Sequence, residues 1–308
     1  MRPLKDEDDY WRMRDFLRQV FRLNQGRELS WDVVRLDYWW RFGNPCLEHL
    51  NVQDVVFLWE TQEGEMVAVL NPEHEGEAFL QLHPEIRSRY LYEEMIRVAE
   101  ERLSIPSQNG KRKLRVWTNS EDDLRQEILQ QRGYSRSDGP EHKRRRLLEG
   151  PIAGLQPMEG YTVRALGDIE ELPSRSWVSW RAFHPDEPDE NYTGWEWYHN
   201  VQCAPLYRRD LDIVAVAGDR EFAAFCTAWF DDVTLSGVFE PVGTSPEHRR
   251  RGLGKAVMYE ALRRLGRLGA RTAYVSSYRE PAHRLYASVG FERYMLMEPW
   301  EKEFENEV

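Results

Sequence analysis

Arg249-Arg-Arg-Gly-Leu-Gly-Lys255 lies between an apolar run, Val238 to Thr244, and Ala256-Val-Met-Tyr-Glu-Ala-Leu-Arg-Arg-Leu265, whose apolar residues recur at helical spacing. The order predicts a strand, a glycine turn and a helix N-terminus. Such a turn aims several backbone N–H groups at one anion, and the helix dipole adds to the attraction. Gly252 and Gly254 have no Cβ, so a pyrophosphate can approach the backbone, with Arg249, Arg250, Arg251 and Lys255 supplying charge around Leu253. A phosphate-bearing ligand is the first expectation. The Walker spacing and the three-glycine dinucleotide spacing are both absent.

The arrangement Arg249-x-x-Gly252-x-Gly254, preceded by Thr244-Ser-Pro-Glu-His, resembles the acyl-CoA signature of the GNAT N-acetyltransferases. About thirty residues on, Ala282-His-Arg-Leu-Tyr-Ala-Ser-Val-Gly-Phe291 is similar to the family's second signature, Ala-x-x-Leu-Tyr-x-x-x-Gly-Phe. The resemblance implies acetyl-CoA as co-substrate, no metal, and Tyr286 as the acid that protonates the departing CoA thiolate. It also implies cofactor contacts from Val242, Gly243 and Thr244, on a strand that splays from a parallel neighbour. Pro241 and Gly243 suit such a strand, one lacking a ladder donor and the other favouring a bulge or close approach. Arg279 stands where the family commonly has an asparagine.

Acetyl transfer needs a neutral amine, a polarised thioester carbonyl and a proton for the thiolate. Glu240, placed by the period of two on one face with Val242 and Thr244, is the candidate base. Its alternative is an ion pair with a nearby arginine or a solvated edge position. Asp231 and Asp232 are alternates that a strand-connecting turn explains equally well. His248 and His283 flank the motifs, in positions that also suit structural or exposed histidines. The segment Trp177 to Tyr198 crowds four tryptophans with five acids. Trp177, Trp180, Glu187, Tyr192 and Trp195 are its candidate acceptor contacts, because ring faces and carboxylates both attract an ammonium. The competing expectation is that the rings pack helices onto a sheet while the acids face water.

The motifs are half of a larger pattern. Leu82-His-Pro-Glu-Ile-Arg-Ser-Arg-Tyr-Leu-Tyr92 aligns with Thr244 to Gly254 at constant offset, and Leu129-Gln-Gln-Arg-Gly-Tyr134 aligns with Tyr286 to Phe291. Tyr90 and Tyr92 replace the two glycines, and Leu129 replaces Tyr286. Bulky residues in place of glycine would block a pyrophosphate, so the first half is expected to be catalytically silent. Upstream, Asp54–Glu60, Met66–Leu70 and Glu77–Leu82 correspond to strands at Leu211–Ala217, Glu221–Phe230 and Val233–Thr244, with a tight turn at Gly218-Asp219-Arg220. The expected fold is α/β (α+β): two tandem GNAT-like domains, each a mixed, mostly antiparallel sheet with a splayed central parallel pair, flanked by helices. The expected division is 1–149, a linker at 150–160 in the glycine- and proline-punctuated stretch, and 161–308.

The 308 residues, 41% hydrophobic, suffice for two cores. No run of 18 apolar residues and no apolar leader are present, and Cys46, Cys203 and Cys226 are widely spaced. A cytoplasmic protein with free thiols follows as an expectation. A formal charge of −11 argues against general affinity for nucleic acid or anionic membrane. Arg144-Arg-Arg146 then reads as a solvated outer strand or linker edge rather than a nucleic-acid patch. The expected acceptor is a small-molecule amine, and the two halves could pair within one chain, which favours a monomer over a homodimer. Use of another acyl-CoA, or acyl-CoA sensing without turnover, is the alternative.

Overall fold

A strand buried on both faces alternates its side chains between two cores, and the first half of the chain does this three times in succession. The computed structural model describes residues 1–107, 110–152, 159–218 and 220–305. Most of the expected linker, 153–158, and Asp219 of the expected turn lie outside them. In the first compact unit, β1 (Arg2–Pro3), β2 (Phe57–Glu60), β3 (Met66–Asn71) and β4 (Glu77–Leu82) pair antiparallel in that order. Along β2, Phe57 and Trp59 join one core and Leu58 the other, and Ala68, Leu70 and Val69 repeat the pattern along β3. Helices α1 (Glu7–Leu23) and α2 (Val33–Tyr38) cover one face, and α3 (Val52–Val55) precedes β2. Asp6 starts α1 by accepting from the N–H groups of Asp8 and Asp9, ahead of three acids in the first turn. Helix α4 (Arg89–Arg102) covers the other face. It is followed by a short β5 (Ile105–Pro106), β6 (Arg112–Asn119), α5 (Asp123–Gln131) and β7 (Ser135–Arg136).

The second unit repeats the plan. Strand β8 (Glu141–Leu147) leads in, followed by β9 (Tyr161–Ala165), α6 (Leu172–Phe183), α7 (Glu196–Gln202), β10 (Asp212–Ala217), β11 (Phe222–Asp231) and β12 (Ser236–Thr244). Then come α8 (Leu253–Arg267), β13 (Thr272–Ser277), α9 (Glu280–Ser288) and β14 (Glu292–Phe304). Strands β9 to β12 pair antiparallel in sequence order, β12 and β13 are parallel, and β8 borders β13. Leu253, Val257, Met258, Ala261, Leu262 and Leu265 of α8 are buried at spacings of one, three and four against Ile213, Ala224, Cys226 and Val275. No described helix is long and apolar enough to cross a membrane.

In each unit the central parallel pair separates early. Strands β4 and β6 pair only from Glu77 with Arg115 to Phe79 with Trp117, and β12 and β13 only from Ser236 with Thr272 to Val238 with Tyr274. The expected splay is present in both.

The compact units are Met1–His142 with Met295–Val308, and Lys143–Tyr294. They differ from the expected division in that the last strand of each half serves the other half. Strand β14 runs antiparallel to β6, from Met297 opposite Asn119 to Phe304 opposite Arg112, while β8 completes the second unit beside β13. The basic run belongs to this second edge. Arg144 and Arg146 donate to the carbonyls of Phe291 and Val289, and Arg145 lies 4.8 Å over the Tyr294 ring.

Candidate active site

An α-helix leaves its first N–H groups without partners unless a cap supplies them. Helix α8 begins at Leu253 behind Gly252, which takes a left-handed φ of 79° and offers no side-chain cap. The first bond of the helix is from the Ala256 N–H to the Gly252 carbonyl. Among the described residues nothing accepts from the N–H groups of Arg250 to Lys255. Gly252 is exposed at the positive end of a fifteen-residue helix, where such donors attract an anion. The side chains around them are deployed unevenly. Leu253 is core, Arg250 is exposed, and Lys255 lies 5.7 Å from the Tyr259 ring. Arg251 donates to the Tyr161 hydroxyl, and Arg249 turns back to the carbonyls of Ala182, at 3.1 Å, and Thr244.

The glycines have a packing reason that the sequence did not reveal. A Cβ on Gly254 would sit 3.3 Å from Leu285 and 3.4 Å from the Thr244 hydroxyl, so this residue joins α8 to α9 and the end of β12. A Cβ on Gly243 would meet Phe225 at 2.5 Å and Ala182 at 2.9 Å. The close approach at Gly243 is therefore that of α6.

Strand β12 bulges between Phe239, opposite Ala228, and Val242, opposite Cys226, so that Glu240 and Pro241 together face Thr227. The period of two that groups Glu240 with Val242 and Thr244 is interrupted there. The Trp229 indole donates to the Glu240 carbonyl at 2.6 Å and fixes the bulge. Tyr286 on α9 is 7% exposed within the α8–α9 core, with Phe291 beside it. Burial raises its phenol well above the ordinary value, and the nearby Glu240 charge adds to the rise. The Glu240 charge is thus felt at the Tyr286 phenol, and Glu240 lies just past the last paired residues of β12 and β13, Val238 and Tyr274. Burial likewise pushes the Cys226 thiol up.

The other candidates separate. Asp231 is buried and caps the β11–β12 turn through the N–H groups of Val233 and Thr234 and the Thr234 hydroxyl, at the opposite end of the hairpin from Thr244; Asp232 is exposed there. That geometry removes both from the reacting centre. His248 bonds the Tyr161 hydroxyl and lies 3.3 Å from Glu221; His283 lies 3.3 Å from the Ser277 carbonyl and 3.4 Å from Glu280. Trp177, Trp180 and Tyr192 do come together, with ring centroids 5.1 to 5.7 Å apart, and Tyr192 donates to Ser176. Glu187 is exposed on the loop, and Trp195 caps α7. Beneath this segment is a buried network absent from the sequence reading. The Arg175 guanidinium pairs with Asp212 at 2.9 Å, bonds Thr227, and lies 4.0 Å over Phe225, while Tyr198 and Tyr207 donate to the same carboxylate. It pins α6 and α7 to β10 and β11.

The first unit closes the equivalent places with its own side chains. Helix α4 starts two positions earlier than the alignment implies, and Ser88 accepts from the Leu91 N–H while its carbonyl takes that of Tyr92. Of the two tyrosines expected to block this turn, only one lies inside the fold. Tyr90 is 76% exposed and obstructs nothing, whereas Tyr92 is wholly buried and donates to Asp122 at 2.7 Å. Arg125, aligned with Ala282, is fully buried; its two terminal nitrogens reach the carbonyls of Trp117, at 3.2 Å, and Leu80, at 3.4 Å, one on each splayed strand. Its cation stacks over Tyr92 at 5.0 Å and lies 3.1 Å from Asp122. Burial opposes ionisation of Asp122, yet the Arg125 charge and the Tyr92 hydroxyl hold its carboxyl below the usual range. Glu73, His74 and Glu77, in the same unit, have metal-compatible donors within 4.8 Å of one another. Arg35 holds Glu73, Arg115 holds Glu77 and Glu48 holds His74, an arrangement of ion pairs.

Residues 168–291 match the acetyltransferase (GNAT) family. No curated protein matches the chain by sequence. Among solved structures, a GCN5-related N-acetyltransferase from Sphaerobacter thermophilus is 17% identical with a TM-score of 0.68, covering 100% of this chain and 96% of its own. A tandem GNAT protein from the clavulanic acid biosynthesis pathway is 16% identical with a TM-score of 0.67, over 98% and 97%. A GNAT-family acetyltransferase from Colwellia psychrerythraea is 14% identical with a TM-score of 0.61, over 97% and 98%. These likenesses establish the tandem fold over the whole chain.

Proposed function

From the premise that residues 168–291 are a GNAT-family domain, which makes this chain an acyltransferase that draws on acyl-CoA, we propose that its second unit moves an acetyl group from acetyl-CoA to a primary amine of a small molecule. The observation that carries this reading is the row of open N–H donors at the start of α8, beside a splayed strand pair. The pyrophosphate takes the donors from Arg250 to Lys255, and the pantetheine arm lies along Val242, Gly243 and Thr244. The amine attacks the thioester carbonyl, the C–S bond breaks, and the thiolate takes the Tyr286 proton. Glu240 receives the proton of the incoming ammonium, through water. Burial is the main reason the Tyr286 phenol is raised; a proton on Glu240 removes the smaller contribution that its charge adds.

Trp177, Trp180 and Tyr192 form the aromatic wall on the acceptor side, and Arg175 with Asp212 keeps that wall on the sheet. The first unit binds no acyl-CoA and shapes or supports the second. The three cysteines, none of them in a disulfide, are in keeping with a reducing cytoplasm, and we read the protein as a monomer.

Release of free CoA from acetyl-CoA across a panel of amines tests the activity. Turnover on at least one small amine is expected; binding without turnover on any would favour an acyl-CoA sensor. Gly252→Asp tests the anion site, because it puts a carboxylate where a pyrophosphate should sit while altering an exposed position that an aspartate can occupy at positive φ. Acetyl-CoA affinity is expected to fall on the order of a hundredfold, and unchanged affinity would remove α8 as the cofactor site. Calorimetry on the unaltered chain is expected to give one acetyl-CoA per chain; two would contradict the closed state of the first unit. Glu240→Gln is expected to slow kcat about a hundredfold at neutral pH with acetyl-CoA affinity retained. If raising the pH, and with it the free-amine fraction, does not recover part of the loss, Glu240 is not the base.

A further inference from the structure

The last turn of α6 is attached to the turn that precedes α8 at several points. Ala182 sits against Gly243, its carbonyl accepts from Arg249 at 3.1 Å, and Phe183 meets Phe225 with ring centroids 6.1 Å apart. Next to these lies Arg181, whose side chain is 17% exposed. One of its nitrogens is 2.8 Å from Glu247, in the segment between Thr244 and Gly252. Another is 3.6 Å from Asp189, in the loop that joins α6 to α7. Glu247 is itself anchored by the Ser245 hydroxyl, and that bond, with the Arg181 charge, holds its carboxyl down at about 2 although burial opposes it. A single guanidinium therefore bridges carboxylates from the cofactor turn and from the acceptor segment.

We propose that Arg181 is a positioning residue that transmits occupancy of the α8 turn to the 184–195 loop, so that bound acyl-CoA orders the acceptor side of the site. The inference rests on the acyl-CoA reading above for where the cofactor lies. Filling the open N–H donors fixes the turn from Ser245 to Gly252, and with it Glu247. Arg181 is then held at one end and restrains Asp189 at the other. The loop it restrains is otherwise anchored at its two ends, by His184 against Trp180 and by Tyr192 and Gly194 against Trp177, Trp180 and Ser176. Between them a brief 3-10 turn at Asp189–Asn191 and a bond from Asn191 to Glu187 are local. Both carboxylates are more than half exposed, so the coupling is modest in size and screened by salt. The chain should therefore show cooperation between cofactor and acceptor sides at low ionic strength that fades as salt is added.

Hydrogen–deuterium exchange on the full chain, with and without saturating acetyl-CoA, reads this directly. In the unaltered protein acetyl-CoA is expected to slow exchange at 245–256 and also, on the order of threefold, at 184–195. Arg181→Gln should keep the first effect and lose the second, and Arg181→Lys, which retains charge without the fork, should restore only part of it. Protection of 184–195 that persists in Arg181→Gln, or that is missing from the unaltered protein while 245–256 is protected, overturns the coupling. No protection at 245–256 in the unaltered protein overturns the acyl-CoA reading along with it.

Discussion

Replacing Tyr286 by phenylalanine is expected to lower kcat about a hundredfold or more while the KM for acetyl-CoA moves little. The phenol is buried, hydrogen-bonded to nothing among the described residues, and protonated at neutral pH, with burial first and the neighbouring carboxylate next raising it further above its ordinary value. A group in that state donates readily only when charge appears in front of it, which is the moment the thiolate departs. Its loss therefore weakens an interaction made in the transition state and leaves ground-state binding nearly intact. General acids of this kind contribute 10²–10⁴-fold, roughly 3–5 kcal/mol of barrier. The ring remains in the substitution, so packing against Phe291 is kept and the variant should melt within a few degrees of the unaltered protein. A loss expressed mainly in KM, or a kcat within about threefold of normal, would assign the proton to another donor. Acetyl-CoA carrying a better leaving thiol should recover part of the rate, because such a thiol needs less protonation.

The second large effect is on stability. Arg125→Met should destabilise the first unit by about 3–5 kcal/mol, a fall in Tm on the order of 10 °C. The guanidinium is fully buried and ties the carbonyls of Leu80 and Trp117 to Asp122 and Tyr92. Without it, two carbonyls on the splayed strands and a mostly buried carboxylate lose their cationic partner together. The sharper test is the pair Arg125→Met with Asp122→Asn, which removes the uncompensated charge and should return part of the stability. If the single change costs less than about 1 kcal/mol, the guanidinium is a passenger in the cleft. Acetyl-CoA stoichiometry should stay at one in both variants, since Ser88 still caps α4 and Tyr92 remains in the core.

These two positions show what the sequence could and could not convey. Tyr286 is legible because its chemistry depends on residue type at a fixed place in a motif, and the turn from Thr244 to Lys255 is legible for the same reason. The splayed pair was implied by the family resemblance, which Pro241 and Gly243 suit, although the bulge that they accompany shifts Glu240 off the simple alternation. Tyr90, Tyr92 and Leu129 lead to the expectation of a silent first half, whereas in the structure the equivalent places are filled by Ser88, at the start of α4, and by Arg125. Ser88 carried a usable signal, a serine three residues before an apolar helical run. Arg125 carried a fainter one, an arginine where the second motif has alanine. The Arg175–Asp212 network could not be foreseen, because 36 residues separate partners whose burial only the packing of α6 on β10 creates. Nor does a period of two say which sheet a strand will join. Strands β8 and β14 each end a half, yet β8 is almost entirely charged and β14 mixes charged with apolar residues, and neither pattern names the sheet it joins.

That last ambiguity has a kinetic side. Met297 meets Asn119 across 178 residues, so the first unit cannot finish its sheet until nearly the whole chain has left the ribosome. The edge of β6 must wait, unpaired, while the second unit is synthesised, and β8 is already committed by then to a sheet whose other strands follow it. The half of the protein that is made first is the half completed last. During that interval its protection against pairing with a neighbouring chain comes from Arg112, Lys113 and Arg115, the charges that β6 carries along the waiting edge.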